Sequence, residues 1–106
     1  MPTVKLLIAY NVKSAGEEAY YRFMAGEFLP TVQSIGLIMV EAWRTAWGDY
    51  PERLIALVVE DDGTWQEILD GKEWRKIEAE LGRYVDNYQR SLVPYRSVFQ
   101  FLKPAS

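Results

Sequence analysis

The sequence predicts an α+β fold, a four-stranded antiparallel sheet with its helices on one face. Three observations predict it. Four apolar, β-rich runs are separated by two stretches of helical periodicity, in the order β-α-β-β-α-β. The middle two runs, Leu37–Trp47 and Arg53–Glu60, flank the turn residues Gly48, Asp49, Tyr50 and Pro51 and read as a hairpin. The two βαβ-like halves then close by right-handed crossovers, which place strand one beside strand three. The result is a ferredoxin-like βαββαβ sandwich of strand order 4-1-3-2.

Each element has its own signal. Val4–Val12 (VKLLIAYNV) is nearly continuous in apolar residues, as for a central strand covered on both faces. Ser14-Ala15-Gly16-Glu17 fits a capping box opening a helix that runs to about Ile35. Tyr20, Phe23, Met24, Phe28 and Val32 recur on its core face. Pro30 removes one amide from that helix and predicts a kink near Phe28–Leu29 or a break before Thr31–Ser34. Gly36 suits the C-terminal cap.

After the hairpin, Asp61-Asp62-Gly63 forms a turn and Thr64-Trp65-Gln66-Glu67 a second capping box. A short helix is expected over Trp65–Leu69, stopping at Asp70-Gly71. A longer one follows from about Lys72 to Gln89, with Trp74, Ile77, Leu81, Tyr84/Val85 and Tyr88 as its apolar stripe. Glu80–Arg83 and Asp86–Arg90 are expected as supporting charge pairs on its other face. Val93–Leu102 is the expected last strand, with Pro94 at its entry.

Composition narrows the function classes. The 106 residues fit one domain, 1–106, and 49% hydrophobic content supports a real core. A net charge of −3 argues against a nucleic-acid partner. The longest apolar runs, LLIAY and LIALVV, are too short to span a membrane. The N-terminal MPTVKLLIAY enters a strand at once, so no signal peptide is expected and a cytoplasmic location is. The chain has no cysteine and no histidine. That removes a thiol nucleophile, the commonest general base and the usual transition-metal and haem ligand. No cofactor and no metal site is expected.

The first hairpin strand carries apolar groups on both faces. One parity holds Leu37, Met39, Glu41, Trp43, Thr45 and Trp47; the other holds Ile38, Val40, Ala42, Arg44 and Ala46. Helices cover one face of such a sheet. Left bare, the other would exceed the apolar patch of an ordinary monomer. Pairing two sheets about a two-fold axis buries it, so a homodimer with a barrel-like interior is expected.

A family resemblance rests on Trp43-Arg44-Thr45 with Gly48, the strand end Glu60-Asp61, Glu73-Trp74, and Leu92-Val93-Pro94-Tyr95. Over roughly Val4 to Phe101 the chain resembles the NIPSNAP branch of the dimeric α+β barrel proteins. The resemblance implies the fold and the dimer far more than a chemistry. Relatives on that fold include antibiotic-biosynthesis monooxygenases, haem-degrading oxygenases and muconolactone isomerases. The haem-handling members rely on a histidine that this chain lacks.

Candidate ligand-binding residues follow from the aromatics. Tyr10, Phe23, Trp43, Trp47, Trp74 and Tyr88 are placed to line a cleft between sheet and helices that holds a flat apolar or aromatic molecule. For Trp74 and Tyr88, on the helical stripe, plain core is the simpler reading. Trp43 and Trp47 suit a cleft or the dimer face. Arg44 and Arg96 are candidate anion or carbonyl clamps, or else ion-pair members, with Glu41 and Glu60 as partners for Arg44. Glu41, Glu60 and Tyr10 are the acid-base candidates. Ser91 and Ser97 have no base, and there is no glycine-rich phosphate loop. The leading expectation is a small NIPSNAP-like homodimer that binds an apolar or aromatic molecule or serves a structural role. The alternatives are a cofactor-independent monooxygenase or isomerase, and a protein-interaction module.

Overall fold

The computed structural model describes residues 2–14, 16–44 and 52–95. The elements follow in the order β1 (Val4–Val12), α1 (Glu17–Phe23), a π-helical turn (Met24–Phe28), α2 (Leu29–Ser34), β2 (Leu37–Arg44) and β3 (Arg53–Val59). A 3-10 turn (Asp62–Thr64), α3 (Trp65–Asp70), α4 (Lys72–Leu81) and β4 (Val85–Pro94) complete it. The sheet has four strands in the order β2-β3-β1-β4, all antiparallel, which is the expected ferredoxin-like arrangement.

Both central strands alternate. Leu6, Ile8 and Tyr10 of β1 face Leu57, Ile55 and Arg53 of β3 in register, and all six are buried on the helix side. The five residues of the first helical stripe, Tyr20, Phe23, Met24, Phe28 and Val32, are all buried against them. Trp74, Ile77 and Leu81 close the core from α4.

Pro30 acts through a widened turn instead of a sharp break. The Leu29 amide donates to the Met24 carbonyl, one residue farther back than in an α-helix. Pro30 then falls in the first turn of α2, where its missing N–H costs little. Gly36 ends α2 with φ +92, a left-handed conformation that glycine adopts freely.

Neither capping box forms as expected. The N-cap of α1 is Gly16, without a side-chain bond. At the second site Thr64 is the N-cap of α3, but its hydroxyl donates to the Asp61 carbonyl at 2.8 Å instead of capping, while Asp61 Oδ1 caps the preceding 3-10 turn by accepting from the Gly63 amide at 3.0 Å.

The largest departure is at the C-terminal end. The helix expected to reach Gln89 stops at Leu81, and the last strand is Val85–Pro94, not Val93–Leu102. Gly82 caps α4, and bonds from the Arg83 and Tyr84 amides to Glu80 and Leu81 tighten its last turn. Tyr84, Val85 and Tyr88 mimic a helical stripe, because an extra residue in β4 returns Tyr88 to the face of Val85 after three residues instead of two. Val85 pairs with Val12, and Asn87, at φ 56, sits where the β1–β4 register slips. Asp86 and Arg90 therefore lie on a strand, and Arg90 pairs instead with Glu78 at 3.1 Å.

A second irregularity lies in the hairpin. The β2–β3 register shifts between Met39 and Glu41, leaving Val40 as the extra residue of a bulge. Leu37 and Met39 pair with Val59 and Leu57 on the helix side, and beyond the bulge so do Ala42 and Arg44 with Ile55 and Arg53. Ile38, Glu41 and Trp43 stand on the opposite face, across from Val58, Ala56 and Leu54. The unbroken parity read from the sequence therefore fails at Val40. On that opposite face Ile38 is 50% and Trp43 64% exposed, while Ala56 and Val58 are buried. Lys5 Nζ meets Glu41 Oε1 at 2.8 Å, an ion pair that must cross β3 because it joins β1 to β2.

Candidate functional site

One row of the sheet carries most of the polar groups that face the helices. Arg44, Arg53 and Tyr10 are register neighbours on β2, β3 and β1. Tyr88 of β4 stacks on Tyr10 with ring centroids 6.4 Å apart. From above, α1 contributes Glu17, Tyr20 and Tyr21. The helical step brings Glu17, Tyr20 and Tyr21 to one side, as their spacing of three and four requires.

The tyrosines form a buried hydroxyl pair and a capped end. Tyr10 and Tyr20 hydroxyls lie 2.7 Å apart. Burial pushes both phenols above their ordinary range; for Tyr10 the neighbouring Tyr20 adds to the rise. Tyr88 donates to Glu78 Oε2 at 2.6 Å, and burial followed by that bond holds its proton well above the usual range. These phenols are donors held protonated, not bases at neutral pH.

Arg53 is 9% exposed, the one buried charged residue among the described residues. Its guanidinium lies 5.7 Å from the Tyr20 ring centroid and 5.2 Å from that of Tyr21. Its Nη2 donates to the Tyr21 hydroxyl and lies 3.4 Å from Glu17 Oε1. Its Nε finds no hydrogen-bond partner among the described residues. Arg44 Nη2 lies 3.9 Å from the same Glu17 oxygen. The partner of Arg44 is therefore Glu17, not Glu41, which is held by Lys5 and by Trp43 Nε1 at 3.2 Å. The Lys5 bond, ahead of the Trp43 bond, holds the Glu41 carboxyl below its usual range. Glu60 is exposed.

Beside this row a cleft of about 260 Å³ opens between α1, the π-turn and the edge of the sheet. Tyr20, Tyr21, Met24, Leu29, Met39 and Ile55 form its apolar walls, with Trp43 at the strand edge and Arg44 and Arg53 at its polar end. The candidates from the sequence divide accordingly. Arg44 lines the cleft, and Trp43 borders it at the strand edge while standing on the opposite face of the sheet. Tyr10, Phe23 and Trp74 are core, and Tyr88 packs half-buried against it. Trp47 and Arg96 lie outside the described residues. Sequence reasoning passed over Arg53, Tyr20, Tyr21 and Glu17. Arg53 had a readable signal: it shares the parity of Ile55, Leu57 and Val59 in RLIALVV and so must face the core.

A larger hollow of about 560 Å³ lies beyond α3 and β4, lined by charged and apolar groups including Asp62, Trp65, Arg75 and Arg90. Among the described residues no group of three or more carboxylates is placed to hold a metal ion, and no helix is long and apolar enough to cross a membrane.

No family model matches the chain, and no curated protein matches it in sequence. Solved structures do match in shape. An ethyl tert-butyl ether d (ethd) family protein from Bacillus halodurans superposes with TM-score 0.69 at 14% identity, over 91% of this chain and all of that one (100%). A NIPSNAP family protein of unknown function from Agrobacterium tumefaciens gives 0.66 at 11% identity, over 91% and 90% of the two chains. A putative antibiotic biosynthesis monooxygenase from Nitrosomonas europaea gives 0.56 at 15%, over 92% and 99%. At these identities the likeness is one of fold. The chain is NIPSNAP-like in its fold, as the resemblance read from Trp43-Arg44 and the flanking motifs implied.

Proposed function

We propose that the protein is a homodimer, paired through the sheet face opposite the helices, that binds a small apolar or aromatic molecule in the cleft beside Arg53. The observation that carries the binding reading is the cleft itself, an apolar trough that ends on two guanidiniums. Packing alone does not call for a buried cation there. That weighs against a purely structural role. The dimer reading is supported by the face across the sheet, where exposed Ile38 and Trp43 border half-buried Leu7 and Leu54. Cytoplasmic residence, expected from the sequence, belongs to the same proposal.

Two measurements test this. Light scattering on a size-exclusion column should give twice the 12.3 kDa of the chain. A monodisperse monomer would overturn the dimer. Aromatic fragments screened by NMR should shift the methyl signals of Met24 and Met39, which line the cleft. Shifts confined to other residues would overturn the binding site.

The alternative is a cofactor-independent monooxygenase or isomerase. Its one specific support is the shape match to the putative monooxygenase. The polar groups named for it from the sequence were Tyr10, Arg44 and Arg96. Tyr10 is 0% exposed with its hydroxyl tied to Tyr20, so it meets no cleft ligand directly. Of these groups, only Arg44 lies in the cleft among the described residues.

A further inference from the structure

We infer that the ligand of this cleft is a carboxylate: a one-ring or short-chain apolar body ending in a single anionic group held between Arg53 and Arg44. The inference rests on the binding site proposed above and names the chemistry of what it takes.

Four features of the site lead to it. Arg44 and Arg53 are directly opposed across β2 and β3, a placement that like charges disfavour unless an anion lies between them. The described lining of the cleft contains both guanidiniums and no carboxylate. Glu17 reaches both cations from the rim, at 3.4 and 3.9 Å, through one oxygen, and it is itself half exposed. That is the loose geometry of a resting counter-ion, not a bidentate fork. Finally, Arg53 is nine-tenths buried and its Nε is without a partner among the described residues, although a buried guanidinium normally fills its donors. An incoming carboxylate screens the two cations from each other and leaves its apolar body on Met24, Leu29 and Met39. The volume, about 260 Å³, lies just below the ~300–1,000 Å³ of common ligand cavities and suits a small molecule.

The test compares an acid with its neutral isostere, 4-phenylbutyrate and 4-phenylbutan-1-ol, on the full chain. Binding is followed by NMR through the Met24 and Met39 methyls and the side-chain Nε–H of Arg53. The acid should bind about tenfold tighter than the alcohol and move the Arg53 signal. Arg44→Gln, at a largely exposed site that leaves the core intact, should weaken the acid about fivefold and leave the alcohol unchanged. Arg53→Lys, which keeps the charge and loses the fork, should also weaken the acid selectively. Glu17→Gln, which removes the counter-ion that the two cations share and leaves Glu52 4.0 Å from Arg53, should tighten it. Equal affinity of acid and alcohol would overturn the carboxylate and leave the binding site standing. Failure of both to shift the cleft methyls would overturn the two together. Weaker acid binding in Glu17→Gln would show that Glu17 is part of the clamp and also sink the inference.

Discussion

The buried tyrosine pair gives a prediction whose size follows from the structure. Tyr10 is 0% and Tyr20 4% exposed, and their hydroxyls are 2.7 Å apart. Tyr10→Phe removes one hydroxyl and keeps the ring, with its 6.0 Å edge contact to Tyr20. The Tyr20 hydroxyl then loses its described partner. A buried polar group left unmatched costs about 1–3 kcal/mol. Tyr20→Phe strands the Tyr10 hydroxyl at a similar cost. The double variant strands neither, and replacing both partners with apolar groups is close to neutral. Each single change should therefore cost about 1–2 kcal/mol and the double change far less than their sum, with a coupling of about −2 to −4 kcal/mol. Urea unfolding at fixed protein concentration reads this directly. At a slope of ~1–1.5 kcal/mol per molar, each single variant lowers the midpoint by roughly 1 M and the double recovers most of the loss. Additive costs would show that the hydroxyls do not support each other, and the reasoning from the 2.7 Å contact would fail.

The same phenols govern the alkaline limb. Burial raises Tyr10, Tyr20 and Tyr88 above the ordinary value, so above pH ~10 the unfolded chain loses protons that the folded one keeps, and stability falls with rising pH. Three such groups give a slope of up to about 4 kcal/mol per pH unit, and Tyr10→Phe/Tyr20→Phe should flatten it to about a third in pH-titrated urea midpoints. Glu41 works in the opposite direction: its carboxyl is held low by Lys5, so its contribution is present above pH ~4.5 and fades as pH falls. Glu41→Gln should cost no more than about 1 kcal/mol at pH 7, and progressively less as the pH is lowered below ~4.5. Gly36→Ala should cost about 1 kcal/mol through backbone strain alone, since a Cβ there meets nothing within 4 Å, and a drop in midpoint without a change in slope would mark it.

Much of the fold was legible because hydrophobic period and connection handedness suffice for it. LLIAY and LIALVV have to be inner strands, and with right-handed crossovers they have to be neighbours. What failed is also physical. Leu81, Tyr84, Val85 and Tyr88 satisfy a helical step of three and four while the last two obey a strand. Only the cap at Gly82 and the left-handed Asn87 separate the two states, and a glycine inside a helical pattern is a weak stop. Ser14 and Thr64 have cap-forming side chains, but the N-cap of α1 is Gly16, and Thr64, the N-cap of α3, turns its hydroxyl back to the Asp61 carbonyl.

The cleft owes its chemistry to a feature that leaves no mark in the sequence. With an unbroken parity in β2, Leu37 and Met39 would share their face with Trp43, and Arg44 would stand on the other side of the sheet. The bulge at Val40 exchanges them. It puts Arg44 opposite Arg53 and within reach of Glu17, and turns Trp43 towards Leu54 and the open face. A bulge is easiest to read where one face is polar, because the alternation then visibly slips. LIMVEAW is apolar on both faces, so the slip is silent. The same double-sided apolarity that argues for a partner on the open face thus conceals how the guanidinium pair is made. The clamp and the candidate dimer surface are two faces of one irregular strand, and a change in the register of β2 would alter both at once.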